Sequence, residues 1–275
     1  MSNSFNNLGK ILEGIVTDNG SDSNSLDSIK YAKTRTMTLD SKMLEENRII
    51  MGLNNDQNAD LFRVLRTNIL KQLRENNWNS FFVTSATPDA GKSVVAINLA
   101  IAIALEGNQT VLLVDADLRR PSISHHLGLK CDFGFIDYLS GNVPLEHILI
   151  HPQIENLVLL PGKDSKINQS ELISSPRMID FIKEIKSRYE SRIIIFDIPP
   201  IFVADDALLY MSYCDAALFV VEDEKNTSDE LLHAMHILEE TNLLGLVLNK
   251  SRQPLPSYKY GYSYGYGYSN GTVRN

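Results

Sequence analysis

Six short apolar runs, separated by helix-length segments, are the feature that most restricts the fold of this 275-residue chain. Each run is nearly continuous in apolar residues, which is typical of parallel strands buried on both faces of a sheet. The intervening segments have the length of helical crossovers. The sequence therefore predicts an α/β fold with a doubly wound, mostly parallel sheet. The predicted strands are Ser80–Ser85, Val111–Asp115, Leu157–Leu160, Ile193–Asp197, Ala216–Val221 and Gly245–Asn249.

The composition excludes several classes of protein. The chain is 43% hydrophobic and 22% charged, and its net charge is −8. An acidic chain is poorly suited to sequence-independent nucleic-acid binding, which needs lysine and arginine to neutralise phosphates, so we expect no nucleic-acid partner. No apolar run reaches the ~18 residues of a membrane span, and the N-terminus lacks a signal-peptide core, so we expect a cytoplasmic protein. The two cysteines, Cys131 and Cys214, are expected to be reduced thiols.

The composition along the chain predicts one domain, residues 56–250, between two flexible segments. Residues 1–55 are rich in Ser, Asn, Asp and Gly and are expected to form a flexible N-terminal arm. Apolar residues at helical spacing between Leu8 and Ile15 indicate either a transient helix or a docking peptide. Residues 251–275 form a low-complexity tail that we expect to be disordered.

A phosphate-binding loop is predicted where the first apolar run meets a long helical segment. The run Ser80–Ser85 is followed by ATPDAGKS, residues 86–93, and then by VVAINLAIAIAL. A strand, a loop that ends in Gly-Lys-Ser and a helix form the P-loop arrangement, although its first glycine is Ala86 here. The alternative is a chance Gly-Lys-Ser at a helix start. The residues expected to hold phosphate groups are Asp89, Ala90, Gly91, Lys92, Ser93 and Val94.

Acidic residues follow two other predicted strands. In VLLVDADLRRP the predicted strand ends at Asp115 and the run continues to Asp117, and Asp197 ends IIIFD. Because the carboxyl ends of parallel strands meet at the edge where such folds bind ligands, we expect these side chains to lie near the loop. The run ending in Asp197 is similar to a Walker B strand, whose aspartate helps to hold Mg²⁺. The alternative for each aspartate is a helix N-cap.

These motifs, in this order, resemble those of the bacterial tyrosine kinases of capsule and exopolysaccharide synthesis. The resemblance rests on ATPDAGKS, on VLLVDADLRRP, on IIIFDIPP, on Asp60-x-x-Arg63-x-x-Arg66 and on the tyrosine-rich tail, and it covers residues 58 to 268. It implies a P-loop NTPase fold of the deviant Walker type that partition ATPases share. The chain departs from the family in two places. It has Pro88-Asp89-Ala90-Gly91-Lys92 where the family has P-G-E-G-K, and Asp60 where the family has Glu.

The resemblance also implies cofactors and roles for residues at the site. ATP and Mg²⁺ are the expected cofactors. Lys92 would stabilise the transferred phosphate, and the metal would be held by Ser93, Asp115 and Asp197. Asp117 is expected to accept the proton of the acceptor tyrosine. Asn249 is expected either to meet the adenine, as in related ATPases, or to form a turn.

The implied activity is an autokinase that modifies its own tail, in trans, and so regulates exopolysaccharide synthesis. The alternative for the tail is a sticky segment without a catalytic role. The resemblance implies a membrane polysaccharide co-polymerase, a tyrosine phosphatase and a ring-like homo-oligomer as partners, and a location at the inner face of the plasma membrane through a partner. Asp60, Arg63 and Arg66 would contact the next subunit, or they would pair within their own helix. The expected acceptors are Tyr258, Tyr260, Tyr262, Tyr264, Tyr266 and Tyr268.

Two other functions remain open on the sequence. A partition or division-site ATPase would share the motifs but usually has an extra lysine early in the loop, where this chain has Thr87, Pro88 and Asp89. The other is a non-catalytic nucleotide-binding adaptor of a membrane co-polymerase, which the atypical loop would suit.

Overall fold

The computed structural model describes residues 34–51, 57–164, 169–187, 191–203 and 205–252. Within these ranges one eight-stranded sheet organises the chain, with its strands in the order β1-β4-β5-β3-β6-β2-β7-β8. All neighbouring strands pair in parallel except β4 and β5, which are antiparallel. The strands are β1 (Arg35–Thr36), β2 (Ser80–Ser85), β3 (Thr110–Asp115), β4 (Ile150–His151), β5 (Leu157–Leu160), β6 (Arg192–Asp197), β7 (Ala216–Glu222) and β8 (Leu243–Asn249).

The predicted fold class and all six predicted strands are confirmed, with boundaries that differ by at most two residues. The sequence did not predict β1 and β4, which have two residues each and lie together at one edge of the sheet. Two residues are too few to show the alternation or the apolar run by which a strand is identified in a sequence.

Helices of very different length connect the strands. A 3₁₀ turn, Leu145–His147, precedes β4. The α-helices are α1 (Ser41–Glu46), α2 (Gln57–Asn76), α3 (Lys92–Ala104), α4 (Ile123–His126), α5 (Phe135–Leu139), α6 (Gln169–Ile173), α7 (Pro176–Ser187), α8 (Asp206–Met211) and α9 (Ser228–Ile237).

The core is centred on β2 and α3, which are joined by the predicted phosphate loop. Strand β2 lies between β6 and β7, and all of its residues are buried. Every residue of α3 except Val94 is buried, so this helix is buried all round rather than along one stripe. The loop between them therefore lies at the carboxyl edge of the middle of the sheet, and both of its ends are anchored in the core.

The N-terminal boundary of the domain differs from the prediction. Residues 34–51 were expected to belong to a flexible arm, and that expectation is wrong for this segment. Leu44 and Ile49 are buried in the main core. The Asn98 side chain of α3 accepts from the Ile50 amide (2.7 Å) and donates to the Arg48 carbonyl (3.1 Å). The segment mixes polar and apolar residues, and it is ordered by packing on the main core and by the hydrogen bonds of Asn98.

Other predictions on the chain ends lie outside the described residues. These are the flexibility of residues 1–33, the helix between Leu8 and Ile15, and the disorder of the tail from residue 253 onwards, with its six tyrosines. Among the helices of the described ranges, none combines the length and the apolar content needed to cross a membrane.

Candidate functional site

The phosphate loop has a tight backbone that needs glycine at one position. Asp89 and Gly91 both have positive φ angles, 64° and 89°. A Cβ atom on Gly91 would lie 2.2 Å from Nδ2 of Asn249, which itself donates to the Ala90 carbonyl (2.8 Å). Gly91 is therefore required both by its backbone conformation and by the close approach of β8. Asn249 lies beside the loop, as it would if it met a bound base.

Lys92 is held between two acidic side chains at the first turn of α3. Its Nζ lies 3.0 Å from Oδ2 of Asp117, 3.2 Å from Oδ1 of Asp197 and 3.4 Å from the Ser93 hydroxyl. The lysine is buried, and burial alone would lower its pKa. The charges of Asp197 and Asp117 outweigh burial and raise the pKa of Lys92 above its ordinary value. Lys92 is therefore a cation at every physiological pH.

Asp115 and Asp197 each have one oxygen in use and one without a partner. Oδ2 of Asp115 accepts from the backbone amides of Ser122 (3.0 Å) and Ile123 (2.9 Å). Its Oδ1, and Oδ2 of Asp197, are buried and accept no hydrogen bond from the described residues. Burial, followed by the charge of Asp197, raises the pKa of Asp115 to about 8, and burial also raises the pKa of Asp197.

The arrangement fits a magnesium ion. Two buried carboxylate oxygens without partners represent a cost in free energy that a bound cation would offset. The Ser93 hydroxyl, which is 2.9 Å from the Ser122 hydroxyl, adds a further oxygen at the same place. Carboxylate and hydroxyl oxygens are the ligands that Mg²⁺ prefers, and the metal needs few of them because it retains waters. Within the described residues, no group of three or more His, Cys, Asp or Glu side chains is placed so that it could hold a metal ion by itself, so the hydroxyl of Ser93 and bound waters would have to complete the ligand set.

Three further residues support the site, and the sequence analysis did not single them out. Ser122 binds both Asp115 and Ser93 through its amide and hydroxyl groups. A Cβ on Gly162, in the loop after β5, would lie 2.9 Å from Cγ of Asp115 and 2.5 Å from Pro121. Ser170 donates to the carboxylate of Asp206. No local sequence signal identifies these residues, because each acts through a contact that only the folded sheet edge creates.

An ion pair between the exposed Arg119 and the buried Asp206 joins the loop after β3 to the start of α8. Nε of Arg119 donates to Oδ2 of Asp206 (2.6 Å), and that carboxylate is almost fully buried. Asp206 is the first residue of α8.

Asp117 uses its Oδ1 to accept from the Arg120 amide (3.0 Å), so it has both a local N–H partner and the contact with Lys92.

The residues predicted to form a subunit contact are paired inside the chain. NH1 of Arg63 lies 2.6 Å from Oδ1 of Asp60, one turn along α2, as the within-helix alternative predicts. Arg66 pairs with Glu106 (3.1 Å) and donates to the Ala102 carbonyl (3.2 Å). Ala102 belongs to the end of α3 opposite Lys92, so this cluster is separate from the phosphate loop. Cys131 and Cys214 form no disulfide in the structure.

Comparison with known sequences assigns the chain to a family. Residues 88–242 match the model of a family described as an AAA domain. The chain is 30% identical over 194 residues to a putative tyrosine-protein kinase, CapB, of Staphylococcus aureus, covering 70% of this chain and 84% of that protein. It is 31% identical over 208 residues to the tyrosine-protein kinase YwqD of Bacillus subtilis, covering 75% and 86%. It spans 27% of the length of the putative tyrosine-protein kinase EpsB of Ralstonia solanacearum.

Solved structures agree with the sequence matches. The kinase domain of the Escherichia coli tyrosine kinase Etk superposes with a TM-score of 0.68 at 26% identity, covering 88% of this chain and all of that one. The chimerical protein CapA2B2 gives 0.69 at 27% identity, covering 80% and 94%. The septum site-determining protein MinD of Pyrococcus horikoshii, complexed with Mg-ADP, gives 0.53 at 26% identity, covering 65% and 74%. The chain therefore belongs to the bacterial tyrosine-protein kinases, within the AAA domain family.

Proposed function

We propose that this chain is an ATP- and Mg²⁺-dependent protein-tyrosine kinase that phosphorylates the tyrosines of its own tail, in trans. The observation that supports it best is the position of Lys92 beside the phosphate loop, where its Nζ is within contact distance of both Asp117 and Asp197. A cation and several carboxylates at a helix N-terminus are what the transfer of a phosphoryl group needs. The transfer depends mainly on positioning and on neutralisation of charge.

In this proposal the chain's own residues divide the work. The loop amides and the Lys92 ammonium bind the phosphate oxygens, and Ser93, Asp115 and Asp197 hold the metal. When bound, Mg²⁺ supplies positive charge that offsets the charge of the phosphates. Asp117 orients the acceptor hydroxyl and accepts its proton. This assistance is needed because the pKa of an unperturbed tyrosine is about 10.

The lysine also controls when Asp117 can act. In the structure, Lys92 occupies Oδ2 of Asp117 at 3.0 Å. Once Lys92 turns towards phosphate oxygens, that carboxylate oxygen is released and can accept the proton. The base is therefore blocked until the phosphate donor is in place.

The proposed setting is the synthesis of capsule or exopolysaccharide at the inner face of the plasma membrane. A membrane polysaccharide co-polymerase would hold the chain there, and a tyrosine phosphatase would reverse the modification. Each phosphate adds about −1.5 to −2 charges. Because residues 251–275 contain no acidic residue, several phosphates would invert the charge of the tail and release it from a neighbouring subunit of a ring. In that ring, Asp60, Arg63 and Arg66 are the proposed contact residues.

The test is the intact mass of dephosphorylated protein after incubation with Mg-ATP, measured beside Lys92→Ala. The expected result is a series of mass additions on the tail of the parent protein, one step for each phosphate, and no additions on the variant. If the protein bound nucleotide but gained no phosphate, even when candidate co-polymerase peptides were present, the result would favour the nucleotide-binding adaptor instead.

A division-site type ATPase is the second candidate, and the likeness to MinD favours it. The early lysine that such ATPases usually have is absent from this loop, where Thr87, Pro88 and Asp89 stand. ATP hydrolysis stimulated by lipid vesicles or DNA, without phosphotyrosine, would select this candidate over the kinase.

A further inference from the structure

The phosphate loop is held from outside by side chains at the ends of β7 and β8. Three successive loop carbonyls each accept a hydrogen bond from that region. Nζ of Lys225 donates to Pro88 O (3.4 Å), and Nδ2 of Asn249 donates to Ala90 O (2.8 Å). Between them, Nζ of Lys250 donates to Asp89 O. These donors approach the loop from the side of the two sheet strands.

One carboxylate connects the two lysines. Oε2 of Glu222 lies 2.9 Å from Nζ of Lys225, and Oε1 lies 3.1 Å from Nζ of Lys250. Glu222 is the last residue of β7 and pairs with Asn249 in the sheet register. Its side chain is 16% exposed, whereas the lysines are 44% and 41% exposed. We use the name lysine clamp for Glu222, Lys225 and Lys250.

The clamp fixes the direction of the loop amides. A trans peptide unit is planar, and its C=O and N–H groups point in opposite directions. When the carbonyls of Pro88, Asp89 and Ala90 point towards the clamp and Asn249, the N–H groups of the following residues point the other way. Those N–H groups belong to residues 89 to 91, and none of them donates to an acceptor of the described residues. They are thus directed and free to bind an anion.

This loop has a particular need for such support. It has one glycine, Gly91, where the family pattern P-G-E-G-K has two, and it places Asp89 at a φ of 64°. Aspartate adopts this region more readily than most L-residues but less readily than glycine, so the loop depends more on outside contacts than a loop with glycine at this position would. The three donors on successive carbonyls supply these contacts.

We infer that Glu222, Lys225 and Lys250 are positioning residues for the phosphates of the nucleotide, acting through the carbonyls of Pro88 and Asp89. The inference rests on the proposed function, because it assumes a nucleotide in the loop. The clamp does not touch the nucleotide itself. It holds the peptide units whose amides do, so it affects the β-phosphate and leaves the binding of the base unchanged.

The test compares two fluorescent probes, methylanthraniloyl-ADP with Mg²⁺ and the corresponding AMP, which lacks the β-phosphate. Glu222→Gln and the double variant Lys225→Met/Lys250→Met are expected to weaken the binding of the ADP probe about tenfold and to leave the affinity for the AMP probe unchanged. Lys250→Arg keeps a cationic donor and is expected to retain most of the affinity. Lys42→Met and Glu46→Gln are the matched controls, since they break an exposed ion pair (3.7 Å) on α1.

Each outcome decides one question. If the parent protein and the clamp variants bound the ADP probe with equal affinity, the inference that the clamp positions the phosphates would be overturned, and the proposed function would stand. If the clamp variants lost affinity for the ADP and AMP probes to the same extent, with a lowered melting temperature, the clamp would have a purely structural role. That result would also overturn the inference. If the parent protein bound neither probe, the proposed function itself would fail, and the clamp with it.

Discussion

Gly162 is a residue whose importance comes from one contact rather than from its own chemistry. The backbone here packs so closely on Asp115 that a Cβ would lie 2.9 Å from its Cγ and 2.5 Å from Cβ of Pro121. Neither neighbour can move freely. The side chain of Pro121 is closed into a ring with its own backbone, and the carboxylate of Asp115 is held by hydrogen bonds from the amides of Ser122 and Ile123. A side chain at position 162 must therefore displace the carboxylate.

We expect Gly162→Ala to raise the Mg²⁺ concentration that gives half-maximal tail phosphorylation by about tenfold. The overlap should also cost about 1–3 kcal/mol of stability. The measurement is the rate of phosphotyrosine formation against the concentration of free Mg²⁺. Gly107→Asn is the control: a Cβ there meets nothing within 4 Å, and asparagine tolerates its positive φ. An unchanged Mg²⁺ dependence in Gly162→Ala would refute the proposed role of Asp115 at the metal.

At the scale of elements, the start of β2 is fastened by one carboxylate. Asp215, just before β7, accepts from the amide of Asn79 (3.1 Å), from the amide and hydroxyl of Ser80 (3.0 and 2.7 Å) and from Lys186 of α7 (2.8 Å). Burial by itself would raise the pKa of Asp215, but the hydrogen bonds from Lys186 and Ser80 outweigh it and lower the pKa. The residue therefore joins β2, β7 and α7 at the end of the sheet opposite the phosphate loop.

We expect Asp215→Asn to lower the free energy of unfolding by about 2 kcal/mol at pH 7, the scale of a hydrogen-bonded charge that is lost. Because the folded-state pKa is lowered, this contribution is complete above the ordinary aspartate value of about 4 and is lost as the pH falls below it. Urea unfolding of parent and variant from pH 7 to pH 3 should show the difference shrinking at the acid end. The exposed Asp132→Asn serves as the control, and a difference that does not change with pH would contradict the assignment.

The elements also show why sequence reasoning succeeds in one place and fails in another. The buried strands were predictable because a run such as Ile193–Asp197 is apolar on both faces, and that pattern is local. The helix α1 was not, because it has only six residues and its order depends on packing against the main core, where Leu44 is buried. The same holds for the site. The phosphate loop and the acidic strand ends are local signals, whereas Ser122, Gly162 and the lysine clamp act through contacts between distant segments.

At the scale of the whole molecule, the topology decides where the functional groups can meet. Strands β2, β3 and β6 are neighbours and run in parallel, so Ser85, Asp115 and Asp197 end at one edge of the sheet. Lys92 is the first residue of α3, the helix that follows β2, and it adds its ammonium group to this set of side chains. The chain leaves the sheet at Lys250, beside the loop, and the tyrosine tail follows at once. Few residues therefore separate the phosphate loop from the proposed acceptor tyrosines, so their separation along the chain does not by itself favour a reaction in trans over a reaction in cis.

The proposed reaction in trans predicts the outcome of a mixing experiment. One variant lacks the phosphate-binding lysine (Lys92→Ala) and keeps its tail. The other keeps the site, but all six tail tyrosines, from Tyr258 to Tyr268, are replaced by phenylalanine. Neither should gain tail phosphate alone, whereas in the mixture the Lys92→Ala chain should be phosphorylated, with a rate that rises with the concentration of its partner.

Intact mass identifies which chain receives the phosphate, because the two variants differ in mass. Phosphorylation of the Lys92→Ala chain requires that the tail of one subunit enters the site of another, which agrees with an assembled ring. Two results together would show a reaction in cis. The rate of tail phosphorylation per chain in the parent protein would not change with protein concentration, and the Lys92→Ala chain in the mixture would stay unmodified. In that case the short path from Lys250 to the first tail tyrosine would be the structural basis of the activity.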